Sequence, residues 1–373
     1  MKKINKDVHE ALSTLNVNNY EAFLVGGATR NLLLGLKIDD YDITTNAHPN
    51  ATKMLFNNYK QYNIGEKNGT IVVFLNKTKI DITTYRQDYE YKDYRHPEKV
   101  EFSLSLYEDV RRRDFTINSI CMDKDGNIID YFNGINDLKH KTIKAIGDPN
   151  TRFREDALRI LRAIRFSSKL NFKIEKNTKE ALFNNSKLLK HIANERKKEE
   201  LLKILSYGNS YKTLITYKKI FEEFISFKKI DKKIDNFTNS YFALAYALKN
   251  NETNNLKDIK FSKKEIVLIN YLIDASKIDH QNDYDFICAL SNAYEKYILE
   301  FLTELYSIDI KEKYKRLKKY IICENDLKIN GDDLINLGYK GKEIKEIKAE
   351  LVDMIHKQML VNTKSAILKY LNK

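Results

Sequence analysis

Every pronounced strand signal in this chain precedes about residue 148, and from there to the C-terminus the texture is helical. A chain divided in this way does not close one uniform fold. Its first part must build a sheet with its own core, and the remainder must bury helical faces against one another. Ala22–Gly27 (AFLVGG) reads as a short apolar strand ending in a glycine turn, and TRNLLLG carries the chain away as a short helix. Tyr41–Thr45 reads as a strand. Gly69–Leu75 and Lys79–Tyr85 are β-branched runs separated by a turn-forming Asn76-Lys77, which predicts a hairpin, and Asn127–Phe132 predicts a further strand.

After Gly147-Asp148-Pro149, the run TRFREDALRILRAIRFSSKL places Phe153, Leu158, Leu161, Ile164 and Phe166 close to a 3.6-residue period, predicting one helix. Asn194–Leu205 predicts a second amphipathic helix with Asn194 as its cap. Beyond it the chain is rich in Lys, Leu, Ile and Glu with almost no Pro or Gly, which points to helical bundles. The expected class is α+β followed by all-α.

Composition narrows the function. The 42% hydrophobic and 31% charged residues exclude a disordered chain and a membrane channel. No run reaches the ~18 apolar residues of a membrane helix, and the start MKKINKDVHEALS is too polar for a secretory signal, so the expected location is the cytoplasm. Cys121, Cys288 and Cys323 are widely separated and supply neither a disulfide framework nor a zinc site. A net charge of +13 suits a polyanionic partner, though a Lys-, Asn-, Ile- and Tyr-rich codon bias produces the same excess.

The densest chemistry lies in Val25-Gly26-Gly27-Ala28-Thr29-Arg30 followed by Asp39-Asp40-Tyr41-Asp42. On a strand, residues i and i+2 share a face, so Asp40 and Asp42 set two carboxylates side by side. Such a pair repels unless a cation lies between, and hard oxygen ligands suit Mg²⁺. The glycine turn lets backbone approach a ligand and feeds N–H groups into a helix start, where an anion is favoured; Arg30 can meet the same phosphates. These parts describe a metal-held triphosphate and in-line nucleotidyl transfer. An isolated D-x-D or G-G is an ordinary loop feature, and the weight rests on their combination. Asp81, in the strand Ile80-Asp81-Ile82-Thr83, reads equally as a third carboxylate or as an outward-facing strand residue.

Asp156, Arg159, Arg162 and Arg165 recur every three residues, which on one helix lays them along a single slowly drifting face. Asp accepts from an amine and Arg donates from a rigid fork. An Asp–Arg pair one turn apart therefore complements both cytosine and adenine, each with an exocyclic amine beside a ring acceptor. Uracil and guanine present a carbonyl instead, leaving the Asp unpaired at a cost of ~1–3 kcal/mol. The competing reading is an ordinary (i, i+3) surface salt bridge.

VGGATRNLLLG…DDYDITT resembles the first motif of the class II tRNA nucleotidyltransferases, the CCA-adding enzymes and their bacterial poly(A) polymerase relatives. DITTYRQDYEYKDYRHPEKVEF, VRRRDFTINSI, REDALRILRAIRF and NERKKEELLKIL continue the resemblance in the family's order over about residues 21–206. The resemblance implies a polymerase-β-like head over residues 1–148, a helical neck that reads the base over 149–210, a helical body over 211–310 and a tRNA-binding tail over 311–373. It implies addition of C, C and A to the 3′ end of tRNA from CTP and ATP with Mg²⁺, without a membrane partner. Asp40 and Asp42 correspond to the metal ligands. Gly27, Arg30 and Arg113 correspond to nucleotide contacts, and Asp114 to a ribose-recognition position. Asp156 and Arg159 take the template role, with Arg162 and Arg165 on the nucleotide or nearby phosphates.

The polar segment Tyr85–Phe102, with Arg86, Asp88, Asp93, Arg95 and His96, resembles the flexible loop needed for the final A, and favours full CCA addition or A addition over CC addition; the competing reading is a plain surface loop. Two departures stand out. Asn31 replaces the family's Asp after Arg30, removing a carboxylate that could orient it, and Tyr41 separates the metal carboxylates, its side chain expected on the opposite face. Farther on, Gly338 and Gly341 flank Tyr339-Lys340 before a Lys-rich helix, and KEKYKRLKK (Lys311–Lys319) is strongly basic. Each reads either as an RNA contact or as ordinary helix punctuation and solvated surface. The seven histidines form no metal-hydrolase pattern. The alternatives are a poly(A) polymerase or A-adding enzyme on the same scaffold and, more remotely, an inactive RNA-binding relative.

Overall fold

A computed structural model describes residues 4–65, 69–91, 97–251, 255–306 and 310–372. The chain divides into two units, Met1–Ile204 with Tyr217–Phe224, and Leu205–Thr216 with Ile225–Lys373.

In the first unit, helix α1 (Lys6–Val17) opens where the Asn5 side chain accepts from the Asp7 N–H, and its apolar residues at helical spacing, Val8, Ala11, Leu12 and Leu15, are all buried. There follow β1 (Ala22–Val25), α2 (Gly27–Leu33), β2 (Tyr41–Thr45), α3 (Pro49–Leu55), β3 (Lys60–Gly65), β4 (Thr70–Leu75) and β5 (Thr78–Thr84). The chain continues through β6 (Arg86–Tyr91), β7 (Pro97–Phe102), α4 (Leu106–Arg111), β8 (Cys121–Met122), β9 (Ile128–Ile129) and α5 (Gly134–Lys139). Last come β10 (Thr142–Ile143), α6 (Pro149–Glu155), α7 (Leu158–Leu170), β11 (Lys173–Ile174), α8 (Lys176–Asn184) and α9 (Asn194–Leu205).

Seven strands form one mixed sheet in the order β3-β4-β5-β2-β1-β8-β9. Within it only β2 and β5 run parallel. The expected β4–β5 hairpin forms, with Asn76 at φ 50° in its turn. Alternation decides the faces: Ile71, Val73 and Leu75 of β4 and Ile80 and Ile82 of β5 point into a core shared with α1. The strand expected over Asn127–Phe132 shortens to the two residues of β9.

Two expectations are corrected here. The 151–170 run is not one helix. It breaks at Asp156, which is extended (φ −139°, ψ 103°) between α6 and α7. The Asp156 carboxylate accepts from the Leu158 N–H and so competes for a backbone donor at the new helix start, as aspartates do at helix ends. Periodicity could not register this, because the apolar spacing resumes in phase. The segment Tyr85–Phe102 is not wholly loop either. β6 and β7 pair antiparallel, Arg86 opposite Phe102 through Tyr91 opposite Pro97. Of its polar residues, Asp93, Arg95 and His96 lie outside the described residues.

The second unit is helical. Ser240–Leu248 is buried nearly all round, and Lys263–Ala275 opens on a capping box between Ser262 and Glu265. A separate apolar cluster gathers residues from Ile322 to Ile367. Gly338, at φ 98°, ends the helix Gly331–Asn336, its N–H and that of Tyr339 donating to the carbonyls of Ile335 and Leu334; the punctuation reading accounts for this glycine. In the basic run, Lys313 and Arg316 pair with Asp283, and Lys318 pairs with Glu295, so these cations are engaged within the unit. Among the described residues no helix is long and apolar enough to cross a membrane.

Candidate active site

β1 and β2 lie side by side with Val25 opposite Asp42, and β2 lies parallel to β5 with Asp42 opposite Asp81. This puts the Gly26-Gly27 turn against the carboxylates. Gly26 has φ 73°, and a Cβ there would stand 3.4 Å from Asp42 Oδ2 and 3.6 Å from Arg113 Nη1. Those are ordinary contact distances, so it is the left-handed backbone that calls for glycine at this position. Tyr41 packs onto the core on the other face, as its strand position dictates.

Asp40 is exposed just ahead of β2, and Asp42 is half-buried within it. Burial pushes the Asp42 carboxyl above the usual range; Arg113 opposes that rise, while the carboxylates of Asp81 and Asp40 add to it. Asp81 is Asp42's register neighbour, but it is ion-paired with Lys79 at 3.0 Å and is not among the residues lining the cleft. Among the described residues no group of three or more His, Cys, Asp or Glu side chains could hold a metal ion. A cation here would have two carboxylates from the protein and complete its shell from elsewhere.

The cationic wall is built from several elements. Arg30, in α2, donates Nε and Nη2 to Asn31 Oδ1 (3.2 and 2.9 Å) and Nη1 to Asn118 Oδ1 (2.7 Å). Asn31 thus orients Arg30 through its amide oxygen, although the carboxylate expected at that position is missing. Asp114 receives Arg162 through Nε at 2.8 Å and Nη2 at 2.6 Å. Burial works against the Asp114 charge, yet Arg162 and the Asn118 amide hold its pKa at about 2. Asp109, fully buried, is likewise held at about 2 against burial by Arg113 and Arg112, with the Thr44 hydroxyl donating to it.

Three arginines of α7 line the same cleft. Arg159 pairs with Glu155 at 2.6 Å and donates to the carbonyls of Arg152 and Arg112; Arg165 pairs with Glu200 at 2.7 Å. The guanidiniums of Arg30, Arg162 and Arg165 lie 5.0, 5.3 and 4.4 Å from the centroid of Phe166, which gives like charges a common aromatic seat. Asp156 does not pair with Arg159. Its carboxylate is held by Arg196 of α9 at 3.2 Å. The (i, i+3) salt bridge that the spacing allowed is therefore not formed.

One cleft of about 530 Å³ gathers these groups. Gly27, Arg30, Asp40, Asp42 and Arg113 line it, as do Asp156, Arg159, Arg162 and Arg165. Sequence reasoning missed Asn118, Phe166, Lys169 and Arg196, which line it too. Lys169 had a findable signal, since it continues the Arg159–Arg162–Arg165 spacing by one more turn. Asn118 and Arg196 lie inside the VRRRDFTINSI and NERKKEELLKIL blocks that carry the resemblance, but no local spacing assigned either to the cleft, since each is brought in by a distant packing contact.

Residues 22–144 match the model of the poly A polymerase head domain, and residues 171–219 that of the probable RNA and SrmB-binding site of polymerase A. The CCA-adding enzyme of Ligilactobacillus salivarius (strain UCC118) is 35% identical over 96% of this chain and 94% of that protein. The CCA-adding enzyme of Lactobacillus helveticus (strain DPC 4571) is 47% identical over 52% of this chain, an alignment that spans about half, 48%, of that protein. The crystal structure of the Bacillus stearothermophilus CCA-adding enzyme in complex with CTP superposes with a TM-score of 0.82 at 28% identity, covering 100% of this chain and 98% of that one.

Proposed function

Because the chain belongs to the family of CCA-adding enzymes, we propose that it adds C, C and A to the 3′ end of tRNA from CTP and ATP, without a nucleic-acid template. The observation that carries this reading is a single cleft with two carboxylates beside a glycine turn at one place and an Asp–Arg set on a neighbouring helical segment at another. We assign residues 1–148 to a catalytic head, 149–210 to a neck that reads the base, 211–310 to a body and 311–373 to a tRNA-binding tail. The apolar cluster confined to the last segment supports its packing as a unit.

The residues present fit a divalent cation. Asp40 and Asp42 offer hard oxygen donors, and burial and the neighbouring carboxylates penalise the Asp42 charge, a penalty that a cation relieves. Mg²⁺ bound there supplies charge neutralisation at the transferring phosphoryl group and acidifies the attacking hydroxyl. The chain's own groups do the rest. The backbone at Gly26-Gly27 and the Arg30 guanidinium receive the triphosphate, while Arg113 and Arg162 add positive charge near the developing pyrophosphate. The tRNA 3′ hydroxyl gives up its proton to solvent as its oxygen bonds to the α-phosphorus and the bond from that phosphorus to the α–β bridging oxygen breaks, and pyrophosphate leaves.

For the base, Asp156 accepts from the exocyclic amine of cytosine or adenine and Arg159 donates to the ring acceptor beside it. At the break between α6 and α7 Asp156 is extended, while Glu155 and Arg196 hold Arg159 and Asp156 separately.

The test is incubation of the purified chain with Mg²⁺ and a tRNA transcript lacking its last three nucleotides, with each NTP singly and then CTP with ATP. Extension by two residues with CTP and by three with both is expected. A long A-tail from ATP alone would replace this reading with poly(A) polymerase, and no extension would overturn it.

A further inference from the structure

Most cleft arginines are held by carboxylates, but Arg30 is held by the neutral amides of its neighbour Asn31 and of the distant Asn118. Asn118 ends the short 3₁₀ turn Thr116–Asn118 and is only 5% exposed. Its Oδ1 accepts from Arg30 Nη1 at 2.7 Å, and its Nδ2 donates to Asp114 Oδ1 at 2.9 Å. Asp114 Oδ2 in turn accepts both donors of Arg162. A continuous chain of hydrogen bonds thus joins α2, beside the glycine turn and Asp42, to α7, which carries Arg159. A cation on one side and a carboxylate on the other fix the amide's orientation.

We propose that Asn118 is a positioning residue for nucleotidyl transfer, holding Arg30 at the phosphate end of the cleft in register with the Asp114–Arg162 pair. The inference rests on the reading given under Proposed function. No other small side chain meets both demands. A hydroxyl is too short to span them, an apolar residue leaves a buried cation and a buried carboxylate each short of a partner, and an ionised carboxylate can only accept, which sets it against Asp114. A protonated carboxyl, by contrast, reproduces the pattern, accepting through C=O and donating through O–H. Two carboxyl groups this close share one proton more readily as pH falls.

Position 118 meets Asp114 on its own segment and Arg30 from α2 directly; beyond these, Arg162 and Arg159 from α7 act on Asp114, and Asp137 of α5 is engaged by Thr116. Only Asp114 could share a proton with a carboxyl placed at 118. The effect of Asn118→Asp should therefore depend on pH in a way that simple loss of packing does not.

The experiment measures kcat/KM for CTP and for ATP on the tRNA transcript with wild type, Asn118→Ala and Asn118→Asp, from about pH 8.5 to about pH 6, with circular dichroism melts to report folding. Asn118→Ala should lose about 10- to 100-fold with both nucleotides alike. Asn118→Asp should fall below Asn118→Ala at the alkaline end, and its ratio to wild type should rise as pH falls. Combining Asn118→Ala with Arg162→Ala should cost less than the product of the single losses, because both break one chain.

An Asn118→Ala enzyme with wild-type kcat/KM, or with a loss matching its unfolded fraction, overturns the inference. So does an Asn118→Asp ratio flat in pH, which decides the matter alone if the alanine variant does not fold. A wild type that transfers nothing overturns the functional reading itself, whereas an active wild type with an indifferent position 118 overturns this inference only.

Discussion

Replacing Asp114 by Asn tests the charge balance of the cleft without removing a side chain. Asp114 is 8% exposed and accepts from Arg162, Asn118 and the Phe115 N–H. Its carboxyl has a folded-state pKa of about 2, against 3.8 for an unperturbed aspartate. That shift is worth about 2 kcal/mol in favour of the folded protein when the group is ionised. The sign follows from the depression: the contribution is fully present above the unfolded value and is lost as pH falls through the folded one. Urea unfolding of wild type and Asp114→Asn should therefore differ by about 2 kcal/mol at neutral pH. The difference should stay largely intact at about pH 4 and be roughly halved by about pH 3. A difference that is absent at neutral pH, or constant down to about pH 3, would refute the argument that Arg162 holds this carboxylate ionised.

Asp42 should behave in the opposite sense. Its carboxyl is raised above 3.8 by burial and by Asp81 and Asp40, so its charge costs folded-state stability at neutral pH when no cation is present. Asp42→Asn should raise the melting temperature in EDTA while lowering transfer by about 10³-fold; a lower melting temperature would contradict the reading. Arg196→Ala should release Asp156, whose ion pair with it at 3.2 Å is largely shielded from solvent. A fall of about 10-fold in kcat/KM for CTP and ATP, with UTP incorporation rising relative to CTP, is expected in single-turnover assays. Unchanged discrimination would mean that Asp156 does not read the base.

The wall of the cleft separates two uses of arginine. Arg159, Arg162, Arg165, Arg112 and Arg113 each face an acidic partner behind the surface: Glu155, Asp114, Glu200 and, for the last two, Asp109. Buried cations need such partners to offset the loss of hydration, and breaking one pair leaves the other charge stranded. Pairing also fixes the planar fork, so an incoming nucleotide meets donors already in place. What the pairs give up in net charge they return as orientation, and seating three guanidiniums on Phe166 draws those donors onto one patch.

The same pairs explain which parts of the site were legible in the sequence. Asp40, Asp42 and the glycine turn lie within a short stretch, and strand alternation is enough to set Asp42 on one face with Tyr41 on the other. The α7 arginines followed from helical spacing. Asp156 did not, because one Asp side chain accepting a backbone N–H ends a helix whose apolar residues stay in phase on both sides. Glu155 with Arg159 and Asp109 with Arg112 and Arg113 are local pairs at (i, i+3) or (i, i+4) spacing, but other pairings were out of reach for a different reason. Asp114 meets Arg162 across 48 positions and Asp156 meets Arg196 across 40, so only the packing of α7 against the sheet domain and against α9 brings them together. Local pattern can nominate the residues that touch a substrate, since chemistry restricts their type. Several of the groups that hold those residues still are chosen by the tertiary fold: Asn118, neutral and far along the chain from both cations it links, shows its role only when Arg30 and Arg162 close around it.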